Sequence, residues 1–176
     1  NKDNIKDIYP LSPQQQGMLW ESLTDKESGI HIEQFICPIN GKLEVANFQQ
    51  AWQELIQIRE ILRTCFVWKK QAEALQVVLK DVSISIAFHN LGEISRSEQK
   101  KWLSEYLQTD RAHSFKFSKA PLLRVTVVQV GQEEYQLLWS IHHILVDGWS
   151  AVLLLQDLLR IYGFLCGKQE ISICTR

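Results

Sequence analysis

The stretches LLRVTVVQV (122–130) and YQLLWSIH (135–142), joined by a four-residue loop holding Gly131, constrain this chain more than any other feature. Two β-rich apolar runs separated by a short glycine-bearing loop predict an antiparallel hairpin. From about Trp149 to Phe164 follows a helix that is apolar on nearly every side, with only Ser150, Gln156, Asp157 and Arg160 breaking the pattern. Such a helix is expected between layers, not half-exposed at a surface.

The remaining sequence predicts what packs around these elements. A first helix opens at SPQQ, with Ser12 as N-cap, Pro13 at the first helical position and Gln15 closing a capping box, and runs to about Leu23. Burial of its Met18, Leu19 and Trp20 explains this stretch without any chemistry. IEQFICPI (32–39) reads as a strand ended by Asn40-Gly41. A second helix starts near Glu44, where Val45, Phe48, Trp52 and Leu55 recur at helical spacing. LRTCFVW (62–68) reads as a strand. LQVVL (75–79) and VSISIAF (82–88) flank Lys80-Asp81 and read as a pair, the second with Val82, Ile84, Ile86 and Phe88 on one face. A third helix begins near Ser95, with Glu98 in a second capping box, and presents Trp102, Leu103, Tyr106 and Leu107. Helices with mostly antiparallel strands make an α+β sandwich, a mixed sheet flanked by helices, in one domain over residues 1–176.

Bulk properties exclude several functions. A chain of 176 residues buries about 70% of its unfolded surface, enough for one core. A net charge of −1 offers no basic excess for nucleic acid or an anionic membrane. NKDNIKDIYP at the N-terminus lacks the apolar core of a signal peptide, and no apolar run approaches the roughly 18 residues of a membrane span. Cys37, Cys65, Cys166 and Cys174 form no C-x-x-C pair and read as incidental thiols of a reducing compartment. A cytoplasmic, soluble protein is expected.

Chemistry is concentrated in WSIHHILVDGWS (139–150). His143 to Gly148 connects the hairpin to the final helix, a place where scaffolds carry functional groups. Neighbouring residues of an extended chain face opposite ways, so His142 and His143 do not both look into one cleft. That weighs against a metal centre, for which no third ligand at metal-site spacing is evident. Asp147 can serve simply as N-cap of the helix, and Gly148 simply for tight packing.

The surroundings of this loop resemble a known family. IHHILVDGWS carries the H-H-x-x-x-D-G motif of condensation domains from non-ribosomal peptide synthetases, a short motif shared with chloramphenicol acetyltransferase-like enzymes, wax ester synthases and epimerization domains. YPLSPQQQGMLW (9–20) is similar to the family's first core motif and REILRTCF (59–66) to its second. AHSFKFSKAPLLRVTVVQV (112–130) is similar to the segment ahead of the histidine motif. The DGWS ending fits condensation domains better than epimerization domains. Heterocyclization relatives carry a second aspartate in place of the histidines. The second motif usually begins Arg-His-Glu, where Ile58-Arg59-Glu60 stands here, leaving Arg63 as its intact arginine. Members have two acyltransferase-like lobes with the active site in a channel between them. Motifs of the second lobe are absent, so the resemblance implies the N-terminal lobe alone, in a chloramphenicol acetyltransferase-like fold and inactive without its C-terminal lobe.

The implied reaction is amide formation, in which a peptidyl or acyl thioester on one carrier protein passes to the aminoacyl amine on another. That amine has a pKa of roughly 8, so a strong base is not demanded. The resemblance implies His143 as the positioning group and proton acceptor, a task suited to a side chain that ordinarily titrates near neutrality. It implies His142 as support from the opposite face, Asp147 as a loop anchor paired with Arg63, and Gly148 as the point where backbone approaches the thioester and its developing oxyanion. Trp149 and Ser150 would line the channel, although Trp149 suits core packing equally. No cofactor is bound directly; substrates ride on phosphopantetheine arms of donor and acceptor carrier domains. Apolar surface left bare by a missing lobe favours self-association. Two other classes stay open. One is a non-catalytic module that docks carrier proteins, against which the intact histidine motif weighs. The other is a small stand-alone acyltransferase using coenzyme A or a carrier protein, which the length favours and SPQQQGMLW disfavours.

Overall fold

A computed structural model describes residues 2–25, 28–68 and 73–167. Along the chain run β1 (Ile5–Pro10), α1 (Pro13–Thr24), β2 (Ile32–Asn40), α2 (Val45–Ile58), β3 (Thr64–Val67), β4 (Leu75–Leu79), β5 (Ile86–Asn90), α3 (Arg96–Ala112), β6 (Leu123–Gly131), β7 (Glu134–His142) and α4 (Gly148–Leu165). The hairpin forms as its pattern predicts: β6 and β7 pair antiparallel from Leu123 opposite Ile141 to Gly131 opposite Glu134. A register slip between Gln129 and Gly131 absorbs one residue, so the connection tightens and both strands run further than their apolar residues do. β2 pairs antiparallel with β7, and β5 lies parallel to β6, giving the order β2-β7-β6-β5. β1, β4 and β3 form a second, antiparallel sheet in the order β1-β4-β3.

Alternation along β7 sends its side chains to two helical layers. Trp139 lies 5.9 Å from Trp52 of α2, centroid to centroid. Ser140 points the other way and donates to Asp110 of α3. Tyr162 of α4 meets Phe48 of α2 edge to face, and Leu55, Leu137, Ile141 and Leu158 are buried in the same core. On the opposite layer, Asp110 also accepts from Arg124 Nε at 2.6 Å and Gln34 Nε2 at 2.9 Å. Burial alone would push the Asp110 carboxyl up, but the bonds from Arg124, Ser140 and Gln34 outweigh it and hold it below the usual range. One carboxylate thus ties the end of α3 to three strands.

Several expectations are corrected. LQVVL and VSISIAF do not pair: β4 sits between β1 and β3, while β5 belongs to the larger sheet. Residues 82–85 form no ladder because α2 satisfies their backbone instead. Gln53 and Gln49 donate to the carbonyls of Val82 and Ile84, and accept from the N–H groups of Ile84 and Ile86. Phe88, expected on an apolar face, is exposed. Leu62 and Arg63 belong to a 3-10 turn over Glu60–Arg63 instead of the strand. β1 escapes a periodicity reading because its pattern is polar and mostly exposed. The capping boxes at Ser12 and Ser95 are both present, but Trp20 is exposed and only Leu19 of its group is fully buried.

The final helix departs most from expectation. Ala151, Leu154, Leu155, Leu158 and Tyr162 are buried, yet Trp149 is 75%, Val152 44%, Leu153 46% and Phe164 83% exposed. They lie on one exposed face at helical spacing, Trp149, Val152 and Leu153 together and Phe164 beyond the exposed Gln156 and Arg160. The helix's apolar character all round reflects one buried face and one bare face. No helix among the described residues is long and apolar enough to cross a membrane. Cys37, Cys65 and Cys166 are free thiols, and burial pushes Cys37 and Cys65 up; Cys174 lies outside the described residues.

Candidate active site

β7 ends at His142 and α4 begins at Gly148, so the two histidines straddle the point where the sheet lets go of the chain. The His143 N–H still donates to the carbonyl of His31 at 2.7 Å, extending the β2–β7 pairing by one step. Leu145 N–H then turns back to the His142 carbonyl at 3.0 Å. From α1, Gln15 Nε2 reaches the Ile144 carbonyl at 3.3 Å.

The pleat separates the histidines as the sequence predicts. His142 is 1% exposed, packed edge to face on Phe117 at 4.8 Å. Its Nδ1 accepts from Ile144 N–H at 3.1 Å, so the ring proton sits on Nε2, 3.0 Å from the Ser22 hydroxyl of α1. Burial, reinforced by the neighbouring His31 and His143 rings, lowers its pKa to about 3. His142 is a neutral, fully engaged structural group.

His143 faces the other way, with 28% of its side chain exposed. It lines an open groove of about 280 Å³ together with Gln14, Gln15, Met18, Asp147 and Ser150. Nδ1 is the buried ring nitrogen. It lies 2.9 Å from Glu33 Oε1, a close polar contact without hydrogen-bond geometry. Nε2 is the other ring nitrogen of this groove-lining side chain.

Asp147 is the N-cap of α4, its carboxylate accepting Ser150 N–H at 2.7 Å. That bond is the main reason its pKa lies below the usual carboxylate range. A Cβ added at Gly148 would meet nothing within 4 Å, so tight packing inside this chain does not require glycine there. Ser150 shares the groove with His143, whereas Trp149 is turned out to solvent and fills no core.

The expected Arg63–Asp147 pairing does not form. Arg63 is 4% exposed and donates to the carbonyls of Ile56 at 3.0 Å, Gln57 at 3.1 Å, Lys80 at 3.2 Å and Leu79. Carbonyls at the end of α2 lack helical partners, and they draw the guanidinium there, while Asp147 is spent on its own helix. The link from the second motif to α4 is made by Arg59, whose Nε donates to Asp157 at 2.9 Å. Gln14, Ser22, His31 and Glu33 bear on the site although no sequence pattern marks them, and Gln15 and Met18, read only as cap and core, bear on it too. They come from α1 and from the start of β2, remote in sequence, and SPQQ shows itself only as a helix cap. No cluster of His, Cys, Asp and Glu suited to a metal ion occurs among the described residues.

The resulting arrangement is a solvent-facing imidazole beside the N-terminus of a helix, where first-turn N–H groups can stabilise developing negative charge. Comparison with known proteins finds relatives in sequence and in fold. Tyrocidine synthase 2 of Brevibacillus parabrevis is 37% identical over 173 residues, which cover 98% of this chain and 5% of that protein. The starter condensation domain of rhizomide synthetase superposes with a TM-score of 0.83 at 20% identity, over 96% of this chain and 42% of that one. A variant of that domain in complex with C8-CoA and Leu-SNAC gives 0.80 at 20% identity, over 94% and 37%. The chain therefore shares the chloramphenicol acetyltransferase-like fold of these domains, while spanning about two-fifths of the solved one and a few per cent of the synthase. The family model described as "Condensation domain" matches residues 5–173, and this chain belongs to that family.

Proposed function

We propose that this chain is the N-terminal lobe of a condensation domain and supplies its histidine loop for amide formation between two carrier-bound substrates. The observation that carries this reading is the division of labour between the histidines: His142 is sealed and neutral, while His143 opens onto a groove at the start of α4. The amine attacks the thioester carbonyl, forming the C–N bond. His143 orients the amine and takes its proton. The N–H groups of the first turn of α4 face the oxyanion, with Asp147 keeping that turn in place. The C–S bond breaks and the proton leaves with the thiol. A related domain holding C8-CoA and Leu-SNAC supports a thioester substrate. The arms come from donor and acceptor carrier domains, and no cofactor of the lobe itself takes part.

The bare stripe of Trp149, Val152, Leu153 and Phe164 is where the C-terminal lobe would seat; left uncovered, it favours self-association. Incubating charged donor and acceptor carriers with the complete two-lobed domain should give the amide product, detected by mass spectrometry, and the 176-residue chain alone should give none. Steady turnover by the lone chain would replace this reading with a stand-alone acyltransferase assembled between subunits.

Gly148 supplies a separate check. Because its added Cβ meets only open space, Gly148→Ala should fold with an unchanged melting temperature. A methyl group between the helix backbone and the thioester should nonetheless slow product formation by about 10–100-fold, the scale of a misplacement of about 1 Å. Full activity in this variant would remove the thioester from the backbone at Gly148.

A further inference from the structure

We infer that Glu33 is a positioning residue for His143, acting through Nδ1 to set which ring nitrogen meets the substrate. This rests on the proposed function and deepens it. In the β2–β7 ladder Ile32 lies opposite His142 and Glu33 opposite Ile141. Residues opposite each other share a face, and so do residues two apart on one strand. Glu33 therefore shares the face of Ile141 and of His143, and the hydrogen bond from His143 N–H to His31 O carries the pairing that far.

Side-chain positions complete the argument. His143 Nδ1 is buried without a hydrogen-bond partner, and the Glu33 carboxylate is 2.9 Å away. With the ring turned so that Nδ1–H points at the carboxylate, this contact becomes an N–H···O bond. A carboxylate only accepts, so it selects the tautomer with the proton on Nδ1 and a bare Nε2. That is the tautomer in which Nε2, the nitrogen not held by Glu33, can take a proton. Asp147 bonds to Ser150 and makes no hydrogen bond to Nδ1, and His142 has both ring nitrogens engaged on the far side of the strand.

The experiment uses the complete domain labelled with ¹⁵N-histidine, comparing wild type with Glu33→Ala and the isosteric Glu33→Gln. Long-range ¹H–¹⁵N spectra should show Nδ1 of neutral His143 protonated in wild type, and a shift toward the Nε2–H form in Glu33→Ala. In the same variant kcat should fall about 10–100-fold, as for other groups that orient a functional histidine, with KM for either charged carrier nearly unchanged. Glu33→Gln, whose amide oxygen accepts the same N–H, should recover part of both signals. An unchanged tautomer or an unchanged kcat in a Glu33→Ala domain that melts like wild type overturns the role of Glu33. The two readings fail differently: full activity in Glu33→Ala beside a crippled His143→Ala rejects this inference alone, while full activity in His143→Ala rejects the proposed function.

Discussion

Replacing His143 by alanine in the complete two-lobed domain should lower kcat for amide formation about 10²–10⁴-fold, the usual worth of a positioned acid–base group. The lower half of that range is the better expectation. An α-amine with a pKa of roughly 8 is about one-tenth neutral at pH 7, so little of the barrier is proton removal before attack. On the proposed mechanism, most of what His143 would provide is orientation of the amine and a destination for its proton in the tetrahedral intermediate. The fold should not notice the change. The side chain is 28% exposed, its close polar contact is with Glu33, and alanine keeps the backbone N–H that bonds to His31. Single-turnover product formation with charged carriers, beside a melting curve, measures both. A near-normal rate would deny His143 a chemical role, and a lowered melting temperature would make its role structural.

His142 should write its burial into the pH dependence of stability. Its pKa is about 3 in the folded chain against 6.5 for an ordinary histidine. As pH falls from neutrality, the unfolded chain takes up this proton first and the native state does not. Stability tied to the neutral ring is therefore complete above about pH 6.5 and drains away down to about pH 3. Each pH unit between those limits removes up to about 1.4 kcal/mol, so the loss is at most about 5 kcal/mol, a large part of a small domain's stability. Asp110 adds to it at lower pH, because its depressed carboxyl must be protonated in the acid-unfolded state. Urea denaturation at several pH values between 7 and 4 should show a slope approaching one proton. His142→Asn, which cannot titrate, should start less stable at pH 7 through loss of the Ser22 and Ile144 contacts, and should show a flatter profile. A wild-type slope near zero between pH 6 and 4 would contradict the buried, neutral ring.

Much of the fold is legible in the chain because the relevant forces are local. Ser12 with Gln15 and Ser95 with Glu98 form caps within one helical turn, so the starts of α1 and α3 can be read directly. The β6–β7 hairpin is equally plain, since its partners are nearest neighbours in sequence. Misreadings occur where distant chain decides. The segment 82–85 looks like a strand by alternation, but α2 glutamines take its backbone bonds. Helix α4 looks wholly buried because periodicity registers apolarity and cannot tell a packed face from one awaiting a partner.

The site divides in the same way. That His142 and His143 face apart, that Asp147 can cap a helix, and that the loop carries a motif condensation domains share with their acyltransferase relatives all follow from adjacent residues and backbone stereochemistry. Which histidine is sealed, that Arg63 serves carbonyls of α2 and β4 while Arg59 reaches α4, and that Glu33 comes to lie beside His143 are settled by strand register and helix docking. Neighbours in sequence are constrained by covalent geometry before folding begins. Neighbours across a sheet exist only once the whole core has chosen how to pack.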